Sequence, residues 1–133
     1  MKRAKVVLIN PTIHPVGVDL LEKELNVTVL PEWNLNLLKR ELLDAEALIV
    51  RTELVAAKIM ALGPKLKVIG QHSVGLDDID LETATRLGIA VVHTPVANYE
   101  SVAEHAVGMV CACVRQFRQA DELVRSGTWA ERD

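Results

Sequence analysis

Leu66-Lys67-Val68-Ile69, the loop Gly70-Gln71-His72-Ser73-Val74-Gly75-Leu76-Asp77-Asp78-Ile79, the segment Asp80-Leu81-Glu82-Thr83-Ala84-Thr85-Arg86-Leu87-Gly88, and Ile89-Ala90-Val91-Val92 together decide how this chain folds. The first and last runs are short, apolar and rich in β-branched residues, which predicts strands. Between them, Asp80 offers an acceptor to the unsatisfied N–H groups of a first helical turn, and Gly88 ends that helix after Leu87. Strand, loop, capped helix and strand in that order predict two parallel strands joined by a crossover helix.

The same alternation extends toward the N-terminus. Lys5-Val6-Val7-Leu8-Ile9 predicts a strand ended by a turn at Asn10-Pro11. A helix over 16–25 places Val16, Leu20, Leu21 and Leu25 on one face. A strand over 27–30 closes at Pro31, a helix follows over 34–43, and Ala47-Leu48-Ile49-Val50 is a third strand. A short helix over 55–62 stops at Gly63-Pro64. Five continuous apolar strands separated by helices predict an α/β fold. Its five-stranded parallel sheet carries helices on both faces, in a doubly wound, flavodoxin-like order.

The C-terminal part follows another rule. Ser101 and Glu104 have the Ser-x-x-Glu spacing of a capping box, and a helix from there reaches Arg125 before Ser126-Gly127. Such a helix of roughly 25 residues is about 37 Å long. Val102, Ala106, Met109, Cys113, Phe117, Ala120 and Val124 form one stripe, and Ala103, Val107, Val110 and Val114 widen it through the first half. A surface helix needs an apolar arc of only about 100°, so this one requires cover on more than one side.

Composition narrows the function classes. The chain has 133 residues, half hydrophobic and a quarter charged, and a net charge of -3. That balance gives no electrostatic case for nucleic acid or an anionic membrane. The apolar run after Met1-Lys2-Arg3-Ala4-Lys5 ends at Ile9, too soon for a secretory signal. Glu104 and His105 interrupt the long apolar stretch over 102–114, which argues against a membrane span. Cys111 and Cys113 point to different sides of a helix, so a disulfide between them is not expected and a reducing cytoplasm is.

The order of residues from Val68 to Glu104 closely resembles the NAD-dependent D-2-hydroxyacid dehydrogenases, the family of phosphoglycerate dehydrogenase. The likeness rests on a loop pattern similar to G-R-x-G-x-G-x-D-N-[IV]-D, in which Gly70, Val74-Gly75, Asp77 and Ile79-Asp80 match while Gln71, Ser73 and Asp78 depart. It rests also on Val50-Arg51-Thr52, similar to the family's V-R-[ST], and on Thr94-Pro95-Val96-Ala97-Asn98, similar to its crossing between domains. Arg115-Gln116 and Gly127-x-Trp129 carry the resemblance to nearly the end of the chain.

What the resemblance implies is specific. Residues 1–98 are expected to be a substrate-binding flavodoxin-like domain. Residues 99–126 are expected to be a linker and dimerisation helix belonging to a nucleotide-binding domain, and 127–133 a tail. The main-chain amides of Val74 and Gly75, with Ser73 nearby, would take the carboxylate of a small 2-hydroxy or 2-keto acid. Arg51 could grip a carboxylate or phosphate in bidentate fashion, and Thr52 adds a hydroxyl. Glu53 beside them opposes an anion. The NAD fingerprint G-x-G-x-x-G and the family's catalytic His, Glu and Arg have no counterpart among these residues. The chain thus resembles the front part of such an enzyme, without a cofactor site or catalytic residue of its own, and no turnover is expected from it alone. A homodimer through the 101–125 helix would cover the surplus apolar surface.

Other residues weigh less. His14, His72, His93 and His105 show no metal spacing, and Asp77, Asp78 and Asp80 are explained as turn and cap residues, so no metal is expected. The runner-up is a stand-alone flavodoxin-like module that binds a small anion or dimerises for regulation. A phosphoreceiver is disfavoured because Asn10 and Arg51 stand where acidic strand ends would be needed, and an FMN carrier because 10–14 is not a Gly- and Thr-rich loop.

Overall fold

The β-branched runs pair side by side. In the computed structural model, which describes residues 3–9 and 13–131, the strands are β1 (Lys5–Ile9), β2 (Asn26–Leu30), β3 (Ala47–Val50), β4 (Val68–Gln71) and β5 (Ala90–His93). All neighbours are parallel, in the order β2-β1-β3-β4-β5. The helices between them are α1 (Pro15–Glu22), α2 (Leu35–Glu41), α3 (Ala57–Met60) and α4 (Leu81–Leu87). The first crossover steps one way along the sheet and the next three step the other way. Right-handed connections therefore place α1 on one face and α2, α3 and α4 on the opposite one. The expected doubly wound order is present.

The core lies on the three-helix face. Val7, Leu48 and Ile69 share a register row. They are fully buried with Val50, Leu38 of α2, Ile59 and Met60 of α3, and Ala84 of α4. Each such aliphatic side chain contributes about 1.5–3 kcal/mol when removed from water, so this face dominates the stability. On the other face Ile49 and Gly70 are half-buried and Val92 is exposed. No residue of α1 is fully buried. Its inward residues are Gly17, Val18 and Leu21, while Val16 and Leu20 are 66% and 65% exposed, so the face expected from the sequence is turned by about one residue.

Local chemistry sets the helix ends. The Asn34 side-chain oxygen accepts from the N–H of Asn36 at 2.9 Å and of Leu37 at 3.3 Å, opening α2. Asp80 accepts from Thr83 N–H at 2.9 Å, opening α4 as expected. Gly88, at φ 70°, closes α4 in the left-handed region that favours glycine. Most element ends shift by one to three residues from the sequence reading, and two of the shifts bear on the site. β4 runs through Gly70 and Gln71, because Val50 pairs with Gln71 in register, so the loop begins only at His72. Val55 forms a parallel bridge with Ile79 instead of starting a helix.

The chain divides into two units, Met1–Ala97 and Asn98–Asp133. The second holds α5 (Tyr99–Val114) and α6 (Phe117–Ser126), followed by a 3-10 turn at Trp129–Glu131. The long C-terminal helix is present as the 16 residues of α5. It does not continue as one rod to Arg125. Gln116 adopts the left-handed conformation, φ 51° and ψ 44°, and the chain restarts as α6. The capping box is also absent: the helix begins two residues before Ser101, with Asn98 in the cap position and no side-chain cap bond. Ser101 is already inside the first turn.

The turn expected at Asn10-Pro11 lies outside the described residues. Among the described residues no helix is long and apolar enough to cross a membrane.

Candidate functional site

The carboxyl ends of β3, β4 and β5 carry three short segments, and in open parallel sheets this edge is where ligands bind. Arg51, Thr52 and Glu53 follow β3. His72 to Gly75 follow β4, and Thr94 follows β5. Gln71, 2% exposed, sits at the last position of β4 and ties the first two segments together. Its side-chain amide donates to the Arg51 carbonyl at 2.8 Å and to the Ser73 hydroxyl at 2.9 Å. A second tie lies deeper, where Val55 N–H donates to the Asp78 carbonyl at 2.8 Å.

The carbonyls of Ser73, Val74 and Gly75 are all engaged. Thr94 donates to the Ser73 carbonyl from both its main chain and its hydroxyl, each at 3.1 Å. The Ser73 hydroxyl donates to the Gly75 carbonyl at 2.9 Å. His93 Nδ1 stands 2.8 Å from the Val74 carbonyl, which has no proton to give, so Nδ1 carries the hydrogen and donates it. In contrast, among the described residues the main-chain N–H groups of Ser73, Val74 and Gly75 have no acceptor. With the carbonyls turned toward protein donors, this loop presents three partnerless donors at an exposed edge. That is an anion-binding arrangement.

Gly75 contributes differently from the expectation. The described glycines with positive φ are Gly88 and Gly127, so the turn at Gly75 does not demand a left-handed residue. A Cβ there would instead meet the Asp77 carboxylate at 3.2 Å. Glycine at this position keeps the loop close to Asp77 without crowding it.

On the β3 side, the Arg51 guanidinium is exposed and has no acidic partner among the described residues. Glu53 does not pair with it. One Glu53 carboxylate oxygen accepts from the main-chain N–H of Arg51 at 2.8 Å and of Thr52 at 3.0 Å. Sequence reasoning identified Arg51, Thr52, Ser73, Val74 and Gly75, and the structure brings all five to one edge. It missed Gln71, His93 and Thr94, the residues that hold the loop. The departure of Gln71 from the family pattern was the one available signal.

Beside this edge, Ile49, Gly70, Val92, His93 and Thr94 help line a shallow groove of about 190 Å³. A larger concavity of about 430 Å³ lies in the second unit, where Gln116 breaks the helices. Its cation, Arg118, is committed to Glu122 at 3.1 Å, which leaves it poorly suited to a ligand anion. Among the described residues no group of three His, Cys, Asp or Glu side chains could hold a metal ion.

A flavodoxin-like sheet whose carboxyl edge offers open amides and, among the described residues, an unpaired guanidinium defines a class: a doubly wound α/β domain with its candidate site at the carboxyl ends of the strands. The family model described as "D-isomer specific 2-hydroxyacid dehydrogenase, catalytic domain" matches residues 6–131. The chain belongs to that family of oxidoreductases. It is 37% identical over 125 residues to D-3-phosphoglycerate dehydrogenase of Mycobacterium bovis, covering 93% of this chain and 24% of that enzyme. It is also 37% identical to glyoxylate reductase of Thermofilum pendens, over 97% of this chain and 39% of that enzyme. The crystal structure of D-lactate dehydrogenase from Aquifex aeolicus, complexed with NAD and lactic acid, superimposes with a TM-score of 0.82 at 26% identity. That superposition covers 96% of this chain and 39% of that one. The chain thus spans between about a quarter and two-fifths of the length of these relatives. None of these similarities supports the alternative of a stand-alone regulatory module.

Proposed function

We propose that this chain supplies the substrate-carboxylate-binding part of a D-2-hydroxyacid dehydrogenase. The acid's carboxylate sits on the amides of Ser73, Val74 and Gly75. From the neighbouring strand end the exposed Arg51 guanidinium faces the far end of the acid, and Thr52 offers a hydroxyl. One observation carries this reading: the three carbonyls of that loop are occupied by protein donors while its three N–H groups have no described acceptor.

In this family reading NAD is the hydride carrier, and hydride transfer also needs a general acid/base at the substrate oxygen. The described residues do not fit the dinucleotide. No strand-to-helix turn among them carries the G-x-G spacing that lets backbone approach a pyrophosphate. The work assigned to these residues is binding and orienting the acid.

Two further assignments belong to this reading. The exposed apolar side chains of α5, among them Val102, Val107, Val110 and Val114, serve a homodimer contact. The free cysteines Cys111 and Cys113 are compatible with a reducing cytoplasm. The binding assignment is tested by titrating the isotopically labelled chain with glyoxylate and following amide resonances. Saturable shifts at Ser73, Val74 and Gly75 are expected. Shifts absent there, or confined to other parts of the chain, overturn it.

A further inference from the structure

We propose that Glu53 sets the charge class of the acid this site accepts, admitting short monoanionic acids and excluding those with a second anionic group. The inference rests on the carboxylate site proposed above and deepens it. The edge holds two sets of main-chain donors. Those of Ser73 to Gly75 are open, whereas those of Arg51 and Thr52 already hold a carboxylate, that of Glu53, at 2.8 and 3.0 Å. Bonds from N–H to an ionised oxygen are the stronger kind, so this occupant is not displaced cheaply. Gln71 fixes the Arg51 carbonyl independently, so the Arg51 and Thr52 segment is tied to β4 by a group other than Glu53.

β3 and β4 are hydrogen-bonded neighbours, with Val50 opposite Gln71, and such strands stand about 4.8 Å apart. An acid anchored by its carboxylate on the β4 loop extends its far end toward Arg51. A phosphate or second carboxylate there would want the Arg51 guanidinium and the amides beneath it. It meets instead a negative charge already seated on those amides. An uncharged far end meets no such opposition. The relatives carry both kinds of substrate in their names, phosphoglycerate and glyoxylate; Glu53 places this chain with the second.

The test titrates the labelled chain, and its Glu53→Gln and Glu53→Ala variants, with glyoxylate and with 3-phosphoglycerate. In the unaltered chain glyoxylate is expected to bind the tighter of the two. Both variants should shift the ratio of dissociation constants toward the phosphorylated acid by about tenfold, the effect of one unit charge across a partly solvated contact. New shifts should then appear at the Arg51 and Thr52 amides. If glyoxylate still moves Ser73 to Gly75 but neither variant changes the ratio, the charge-class assignment falls alone. If glyoxylate moves none of those amides, the carboxylate site fails and this inference with it. If both variants lose the dispersed spectrum of a folded chain, Glu53 is a structural brace and the proposal is overturned.

Discussion

The Gln71 side-chain amide donates to the Arg51 main-chain carbonyl at 2.8 Å, so one buried group at the end of β4 fixes the first residue after β3. The same amide reaches the Ser73 hydroxyl, and its own carbonyl oxygen is buried without a partner. Replacing Gln71 with Met removes both donated bonds together with the orphaned oxygen. The loss of paired acceptors is partly offset by the loss of the unpaired one, so the expected destabilisation is about 1 kcal/mol. Acid binding should weaken more than stability does, since both anion-facing segments lose their common tie. Urea unfolding and glyoxylate titration of the Gln71→Met variant measure the two effects separately. Equal binding by variant and parent would deny Gln71 its positioning role.

Gly75→Ala tests the loop itself. Its Cβ would come within 3.2 Å of the Asp77 carboxylate, an exposed group able to give way. The variant is expected to fold, with a small change in stability, and to bind glyoxylate several-fold more weakly because the neighbouring amides shift. A stability loss above about 2 kcal/mol would mean the glycine serves packing instead, the range reached by core substitutions.

How much of this was legible depends on how local each determinant is. Asp80 and Gly88 bound α4 as the sequence reading placed them, because a cap bond and a left-handed glycine involve only neighbouring residues. The doubly wound order was read from five apolar runs alternating with helices, and the paired strands have it. The break at Gln116 was not legible, since neither glycine nor proline marks it and a glutamine in the left-handed region has no sequence signature. The end of β4 was misplaced because Gly70 and Gln71 look like loop residues and become strand only by pairing with Ile49 and Val50. At the site, the residues proposed to take the acid were chosen from their resemblance to a known loop. Those that hold them, Gln71, His93 and Thr94, act across strands far apart in sequence, and no spacing reveals that.

Acid should unfold the first unit partly through α4. The Asp80 carboxyl is held below its ordinary value of 3.8 by the main-chain N–H of Thr83, then by the Thr83 hydroxyl. A carboxyl depressed in the folded state binds protons more readily in the unfolded chain. Its contribution is therefore fully present above about pH 4 and disappears as pH falls through the folded value. Asp80→Asn keeps an acceptor at the cap but removes the titration. The variant's unfolding midpoint should change less between pH 5 and pH 3 than the parent's, as followed by circular dichroism in urea. Parallel pH profiles for the two proteins would show that the cap charge is irrelevant.

The self-association assigned to α5 makes the sharpest physical demand. Val107, Val110 and Val114 are 64%, 62% and 75% exposed, and Val102 and Met109 more than half so. Residues 103, 107, 110 and 114 recur at helical spacing, so these side chains form a continuous stripe and not scattered points. Soluble monomers rarely leave such a contiguous patch open, because each buried valine recovers on the order of 1.5–3 kcal/mol from water. A helix pair meeting along this stripe buries each of these residues twice over, once per copy, whereas a charge placed at its centre is buried twice at a cost of several kcal/mol. Val107→Glu should thus convert a dimer at micromolar concentration into a monomer in sedimentation velocity. Val16→Glu, on the exposed side of α1, should leave the mass unchanged. A parent chain that sediments as a monomer at those concentrations would remove α5 as a contact between copies and leave its apolar stripe to some other cover.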